Sequence, residues 1–305
     1  MLAFELLRYI IDRLRKPDFS LVNNVDMSAH HSDSKAQNLS RPKISIIIPT
    51  RDKSDLVRSC LATVKETTAD LDIELVIVDN DSIEAKSKQL FEELRSQGAV
   101  IVKYPGSFNY SVICNIAARN ATGEYLCFLN NDTEVISPEW LSSMVEHASQ
   151  PTVGLVGSVL LYPDKSLQHM GIALGMAGGI AGHPYRGKSS HEYLPDDCFE
   201  VSGVTFACAV ISKAKFGALG GLDEKFPVGF NDVDISIRSA ASGLHNVLCT
   251  KSVLTHAESQ SRPKGKSLKG IISSLREVVA FLRIHPNNHS DRFFQRRVSS
   301  KKFVE

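Results

Sequence analysis

From Lys43 onward the chain alternates two patterns. Short runs rich in β-branched and aromatic residues (ISIIIPT, IELVIVDNDS, AVIVKYPG, EYLCFLNND) are separated by stretches whose apolar residues recur at three- and four-residue steps (LVRSCLATVKET, KSKQLFEELRSQG, NYSVICNIAARNATG). The first pattern predicts buried strands, the second amphipathic helices. Their regular succession predicts an α/β fold, a mostly parallel sheet flanked by helices with right-handed crossovers. Ligands of such sheets bind beyond the carboxyl ends of the strands. Those ends read Pro49-Thr50-Arg51, Asp79-Asn80-Asp81, Tyr104-Pro105-Gly106 and Asn130-Asn131-Asp132, so apolar runs discharge into polar side chains along one edge.

Beyond Pro138 a helix (EWLSSMVEHA) precedes a strand (VGLVGSVLLY), and a Gly-rich stretch follows that is too broken for either element. VSGVTFACAVIS predicts one long strand, and NVLCTKSVLTHAES a final one, with a loop and helix (GGLDEKFPVGFNDVDISIRSAASG) between them. A helix is expected over 267–284, with Leu268, Ile271, Leu275, Val278 and Leu282 on its apolar face. Residues 2–16 form an amphipathic helix pattern, followed by a polar linker. The expected partition is therefore 1–40 (helix and linker), 41–262 (the α/β domain) and 263–305 (helix and basic tail).

Charge adds little globally, because 35 basic against 34 acidic residues leave a net charge of +1 and no reason to expect nucleic acid. The tail differs: from Arg262 to Glu305 basic residues outnumber acidic ones, which leaves a mildly acidic body. The 6 cysteines show no CxxC pair and no metal-ligand spacing, which suits a reduced compartment. With no apolar run long enough to span a bilayer and no signal-peptide pattern, a cytoplasmic location is expected.

The carboxylates are the candidate chemistry. Asp79 and Asp81, Asp232 and Asp234, and Asp132 lie at or near the ends of apolar elements. Asp and Asn at strand ends are ordinary turn formers, but several converging carboxylates repel one another unless a cation or proton intervenes. Hard divalent cations take such oxygens together with substrate phosphates. No GxGxxG follows any strand, which argues against a dinucleotide site. A phosphatase with Asp79 as nucleophile and Asp81 as acid remains a competing reading, although ISIIIPT precedes the strand such enzymes place first.

SIIIPTRDK, VIVDNDS, YPGSFNYSVICN, GEYLCFLNNDTEVISPEWL, LQHMGIALG, AGHPYRG, GGLDEKFPVGFNDVDISIR and THAESQSR occur in the order seen in family 2 glycosyltransferases of the GT-A fold. The chain resembles the branch acting in bacterial O-antigen and capsule assembly, including rhamnosyltransferase-like members, over roughly Lys43 to Arg262. The resemblance implies inverting transfer of a sugar from a nucleoside-diphosphate donor to a glycan or lipid-linked glycan acceptor, with Mn2+ or Mg2+ as cofactor. It implies Pro49, Thr50, Arg51, Asp79, Asn131 and Arg262 as donor-nucleotide contacts. Asp132 matches the last residue of the metal motif and His256 a late histidine of the metal site. Asp232 matches the base that deprotonates the acceptor hydroxyl, and His169 and His183 fall in the stretch placed near the acceptor. Two departures stand out: the metal motif is Asn-Asn-Asp, and Asn231 replaces the usual Glu before the base. A silent glycan-binding protein of the same fold is a further alternative.

The residue types suit that chemistry independently. A nucleoside diphosphate leaves once its charge is neutralised, and a weakly nucleophilic hydroxyl needs a carboxylate to take its proton. Trp140 at a helix start reads as core or rim, and Asp234 as the first-turn acid of a helix. The tail segment FFQRRVSSKKF, basic with interleaved aromatics, suits peripheral contact with an anionic membrane face.

Overall fold

The computed structural model describes residues 19–21, 41–176, 180–257, 268–286 and 290–296. The elements in chain order are β1 (Phe19–Leu21), β2 (Ile44–Thr50), α1 (Ser54–Thr67), β3 (Ile73–Asp79), α2 (Ala85–Ser96), β4 (Val100–Lys103), α3 (Tyr110–Asn120), β5 (Tyr125–Leu129), β6 (Thr133–Val135), α4 (Trp140–Ser149) and β7 (Val153–Leu161). There follow β8 (Leu167–His169), β9 (Ala173–Leu174), β10 (Ala181–Gly182), α5 (Ser190–Tyr193), β11 (Phe199–Val201), β12 (Cys208–Ser212), α6 (Lys213–Ala218), α7 (Asn231–Ala241), β13 (His245–His256), α8 (Leu268–Ile284) and β14 (Phe294–Arg296).

The main sheet runs β11-β13-β7-β12-β5-β2-β3-β4, with β6 on β13 and β8 on β7. β5, β2, β3 and β4 are mutually parallel, as the strand–helix alternation predicts. β12 is inserted antiparallel between β5 and β7, while β7 and β13 are again parallel. Because side chains alternate along a strand, β2 sends Ile44, Ile46 and Ile48 into one apolar layer and Ile47 into the other. The first layer is closed by α1, α2 and α4, through residues such as Val57, Leu90 and Leu141, and the second by α3, through Ile113 and Ala117. Trp140 is core: it is fully buried, and its Nε1 donates to Thr67 Oγ1 at 2.9 Å.

Pro49 can sit in the middle of this sheet for a specific reason. Thr50 turns its carbonyl toward β3, accepting from Asn80 N at 2.9 Å, so Pro49 faces the β5 side. Pairing with β5 has already ended at Ile47, so the missing N–H costs no ladder bond.

Two expectations need correction. The expected long strand at 201–212 is broken, because β11 pairs with β13 whereas β12 pairs with β5 and β7, and residues 202–207 cross between them. The C-terminal helix also buries a different face from the one its apolar spacing predicts. Leu275 is 43% exposed, while Glu277, Phe281 and His285 are buried. Phe281 stacks on Phe230 at 5.0 Å and meets Phe226 at 6.3 Å, and Glu277 accepts from Val228 N (3.2 Å) and Gly229 N (2.7 Å). α8 therefore packs against the loop entering α7. The N-terminal helix pattern, the linker, Arg262 and the tail beyond Arg296 lie outside the described residues.

Candidate active site

The ends of β2, β3 and β5, the 202–207 crossing and the start of α7 enclose a cavity of about 650 Å3. Pro49, Thr50, Arg51, Asn131, Asp132, Asp232 and His256 all line it. Its rim is backbone under constraint: Asp52 (φ 55°) and Lys53 (φ 57°) are both left-handed, a conformation disfavoured for such side chains. Asp52 secures the turn, since its Oδ1 accepts from Ile83 N and Glu84 N at 2.8 Å each, at the entry to α2. Thr50 Oγ1 accepts from Asn131 Nδ2 at 2.8 Å, which ties the end of β5 to the end of β2.

β5 stops at Leu129, and a turn closed by Thr133 Oγ1 donating to Asn130 O (2.7 Å) carries the chain into β6. β6 pairs antiparallel with β13, placing Thr133 opposite His256. That register sets the His256 ring beside Asp132, with Nε2 3.2 Å from Oδ1. On the far side of the ring Nδ1 lies 2.6 Å from Gln168 Oε1, while Gln168 Nε2 donates to the His256 carbonyl at 3.1 Å. The second bond orients the amide so that its oxygen faces Nδ1, which must then carry the hydrogen. In the neutral ring, Nε2 consequently directs its lone pair toward the cavity side, with Asn130 Nδ2 at 3.4 Å and the Asp132 carboxylate at 3.2 Å. A carboxylate and an imidazole whose tautomer is set from behind suit a divalent ion. Gln168 carries no motif signal in the sequence, and only the pairing of β8 with β7 reveals it.

Asp232 opens α7 after Phe230, which is itself left-handed (φ 62°) and held by its stack on Phe281. Asp232 Oδ1 accepts from Val233 N at 2.9 Å. Burial pushes its carboxyl up to about 6, against the opposing hydrogen bonds from Val233 N and the Thr205 hydroxyl. This is the proton affinity a base working near neutrality needs. Asn231 also lines the cavity, and its Nδ2 donates to Phe226 O at 3.4 Å.

Other sequence-predicted residues fall elsewhere. Asp79 does not line the cavity; its Oδ1 accepts from Ser82 N at 2.8 Å and so forms the turn that ends β3. Asn80 lines the cavity instead, with Nδ2 donating to Tyr104 O and Gly106 O (3.1 and 2.9 Å) and a buried Oδ1 that has no partner among the described residues. His169 and His183 contact each other, Nδ1 to Nδ1 at 2.8 Å; neither lines the cavity, although His169 Nε2 accepts at 3.4 Å from the N–H of Thr205, which does. The His169 ring is buried. Burial, with the neighbouring His183 and His256, holds it well below the ordinary histidine range. Asp234 is more than a first-turn acid, for it is buried and accepts from Arg238 Nε (2.8 Å), Arg238 Nη2 (2.7 Å) and His285 Nε2 (2.8 Å).

The architecture has counterparts among solved glycosyltransferases. A mannosyltransferase from Pyrobaculum calidifontis, solved with GDP-Man and Mn2+, aligns over 92% of this chain and 71% of its own at TM-score 0.56 and 19% identity, which identifies the fold as GT-A. The model of glycosyl transferase family 2 matches residues 45–219, and the chain belongs to that family of transferases. The O-antigen biosynthesis protein RfbC of Myxococcus xanthus is 38% identical over 226 residues, 72% of this chain and 18% of that protein. The GalNAc(5)-diNAcBac-PP-undecaprenol beta-1,3-glucosyltransferase of Campylobacter jejuni is 26% identical over 130 residues, 41% of each. The chain thus spans less than half the length of these two curated relatives.

Proposed function

We propose that this domain catalyses metal-dependent, inverting transfer of a sugar from a nucleoside diphosphate to an acceptor in bacterial surface-polysaccharide assembly. The observation that carries the reading is a single cavity holding two kinds of carboxylate: Asp132, paired with His256, and Asp232, isolated with raised proton affinity. Asp132 and His256 would hold the divalent ion, Mn2+ or Mg2+, which when bound neutralises the donor diphosphate. Arg51 lines the same wall and adds positive charge there. Asn80, which lines the cavity where Asp79 does not, takes over as the contact for the base. Asp232 takes the proton of the acceptor hydroxyl, and Thr205 and Val233 N steady its carboxylate while it does so. A base apart from the metal ligands fits a single displacement with inversion.

The name of the Myxococcus relative supports a surface-polysaccharide product, and that of the Campylobacter relative a lipid-linked acceptor. Such an acceptor also fits a cytoplasmic enzyme held at the inner membrane face by its basic tail. The phosphatase reading loses support because Asp79 faces its own turn. The test is thermal unfolding with UDP, dTDP, GDP and CDP, each with and without Mn2+. A ligand at about 100 times its Kd stabilises by about 2.7 kcal/mol. A Mn2+-dependent shift with one nucleotide is expected; no shift with any would defeat the reading. Turnover of a matching sugar nucleotide separates the enzyme from a silent glycan binder.

A further inference from the structure

A second cluster of ligating side chains lies away from the cavity. His147 comes from the last turn of α4, Cys249 from the middle of β13, and Cys198 from the residue before β11. One ligand atom from each lies within 4.8 Å of the other two. The register explains the meeting: Phe199 pairs antiparallel with Leu248, so the next position along sets Cys198 against Cys249, and α4 packs over β13 at this level. Cys249 is buried whereas His147 and Cys198 are half-buried, which leaves an ion a route in. His147 Nδ1 is buried and has no hydrogen-bond partner among the described residues. Thr250 Oγ1 lies 3.6 Å from Cys198 Sγ and so reaches the same cluster. The thiolate is the ligating form of cysteine.

We propose that His147, Cys198 and Cys249 bind one thiophilic divalent cation of the Zn2+ class through an imidazole nitrogen and two sulfurs, leaving a fourth position to water. Tetrahedral bonds of roughly 2.3 Å to sulfur and 2.0 Å to nitrogen set ligand atoms roughly 3.5–3.8 Å apart, within the observed spread. Two thiolates select a soft ion, whereas the carboxylate of Asp132 suits a hard one, so the two sites discriminate by chemistry. They are also separate in space, since Cys249 and His256 lie on the order of 20 Å apart along β13. Binding displaces the protons of the ligating thiols. The bound ion fastens β11, a three-residue edge strand whose ladder partner among the described residues is β13, to helix α4.

The test is anaerobic titration of reduced, metal-free protein with Co2+. One equivalent is expected to produce a thiolate-to-cobalt charge-transfer band, and one equivalent of Zn2+ to abolish it and raise the unfolding midpoint. Co2+ at Asp132 and His256 has no sulfur ligand and gives no such band. Cys198→Ser, at a half-buried position, should lose the band while keeping Mn2+-dependent nucleotide binding. His147→Gln keeps both sulfurs and should alter the visible bands and weaken Zn2+ binding. No charge-transfer band in the wild type, or the same band in Cys198→Ser, would overturn the proposal; unchanged Zn2+ affinity in His147→Gln would remove the histidine from it.

Discussion

Asp232→Asn separates the cost of the base from its use. In the folded chain this carboxyl titrates at about 6, against an ordinary 3.8. At about 1.36 kcal/mol per pH unit that gap amounts to roughly 3 kcal/mol. Water at the cavity wall reduces it to about 1–2 kcal/mol. The sign follows from linkage. Below about pH 4 the group is protonated in both states and costs nothing. Between about 4 and 6 the unfolded chain ionises first, and above 6 the whole destabilisation is present. Asparagine keeps an oxygen for Val233 N and carries no charge. The variant should therefore be more stable than the wild type at pH 7.5, by roughly 2–6 °C in Tm, and equal to it at pH 3.5 if both remain folded. Turnover should be lost while Mn2+-dependent nucleotide binding persists. Calorimetry at the two pH values, with single-turnover kinetics, reads all of this. A variant that is both inactive and less stable at pH 7.5 would refute the argument, because Asp232 would then be a structural carboxylate rather than a strained base.

Four other outcomes are expected. In the wild type kcat/KM should fall as pH drops through about 6 and Asp232 gains its proton, which a pH–rate profile will show. Asp132→Ala should make nucleotide affinity, measured by titration calorimetry, independent of Mn2+. Gln168→Ala frees the His256 ring from behind and should weaken Mn2+-dependent nucleotide binding by about 10-fold, without changing metal-free binding. Asp234→Ala removes the carboxylate shared by Arg238 and His285, leaving Arg238 only the carbonyls of Leu219 and Gly221, and should cost about 3 kcal/mol in urea unfolding. Against the cost of burial, His285 and Arg238 hold the Asp234 carboxyl below its usual range, so its stabilisation is present above about pH 4 and is lost as pH falls further.

The strands that deliver the site were legible because β2, β3 and β5 are buried on both faces toward their ends and read as nearly continuous apolar runs. The helices between them had to cross over the sheet, so the polar ends necessarily met on one edge. Asp132 and Asp232 were found as polar exceptions at the ends of such elements. Gln168 was not, because its role depends on two bonds to a residue 88 positions away that exist only once β8 has paired with β7. Asp79 and Asn80 are adjacent in sequence, and only the turn geometry decides which one closes the turn and which faces the cavity. α8 misled because its buried face is chosen by Glu277 and His285, whose partners are backbone N–H groups and Asp234. Hydrophobic spacing cannot register those interactions.

One small ladder has a mechanical consequence. β1 and β14 pair antiparallel, with Phe19 opposite Arg296, so the first and last described strands of the chain form one ladder. Neither strand can peel away without stripping the backbone bonds of the other, so fraying at these two places is one event rather than two.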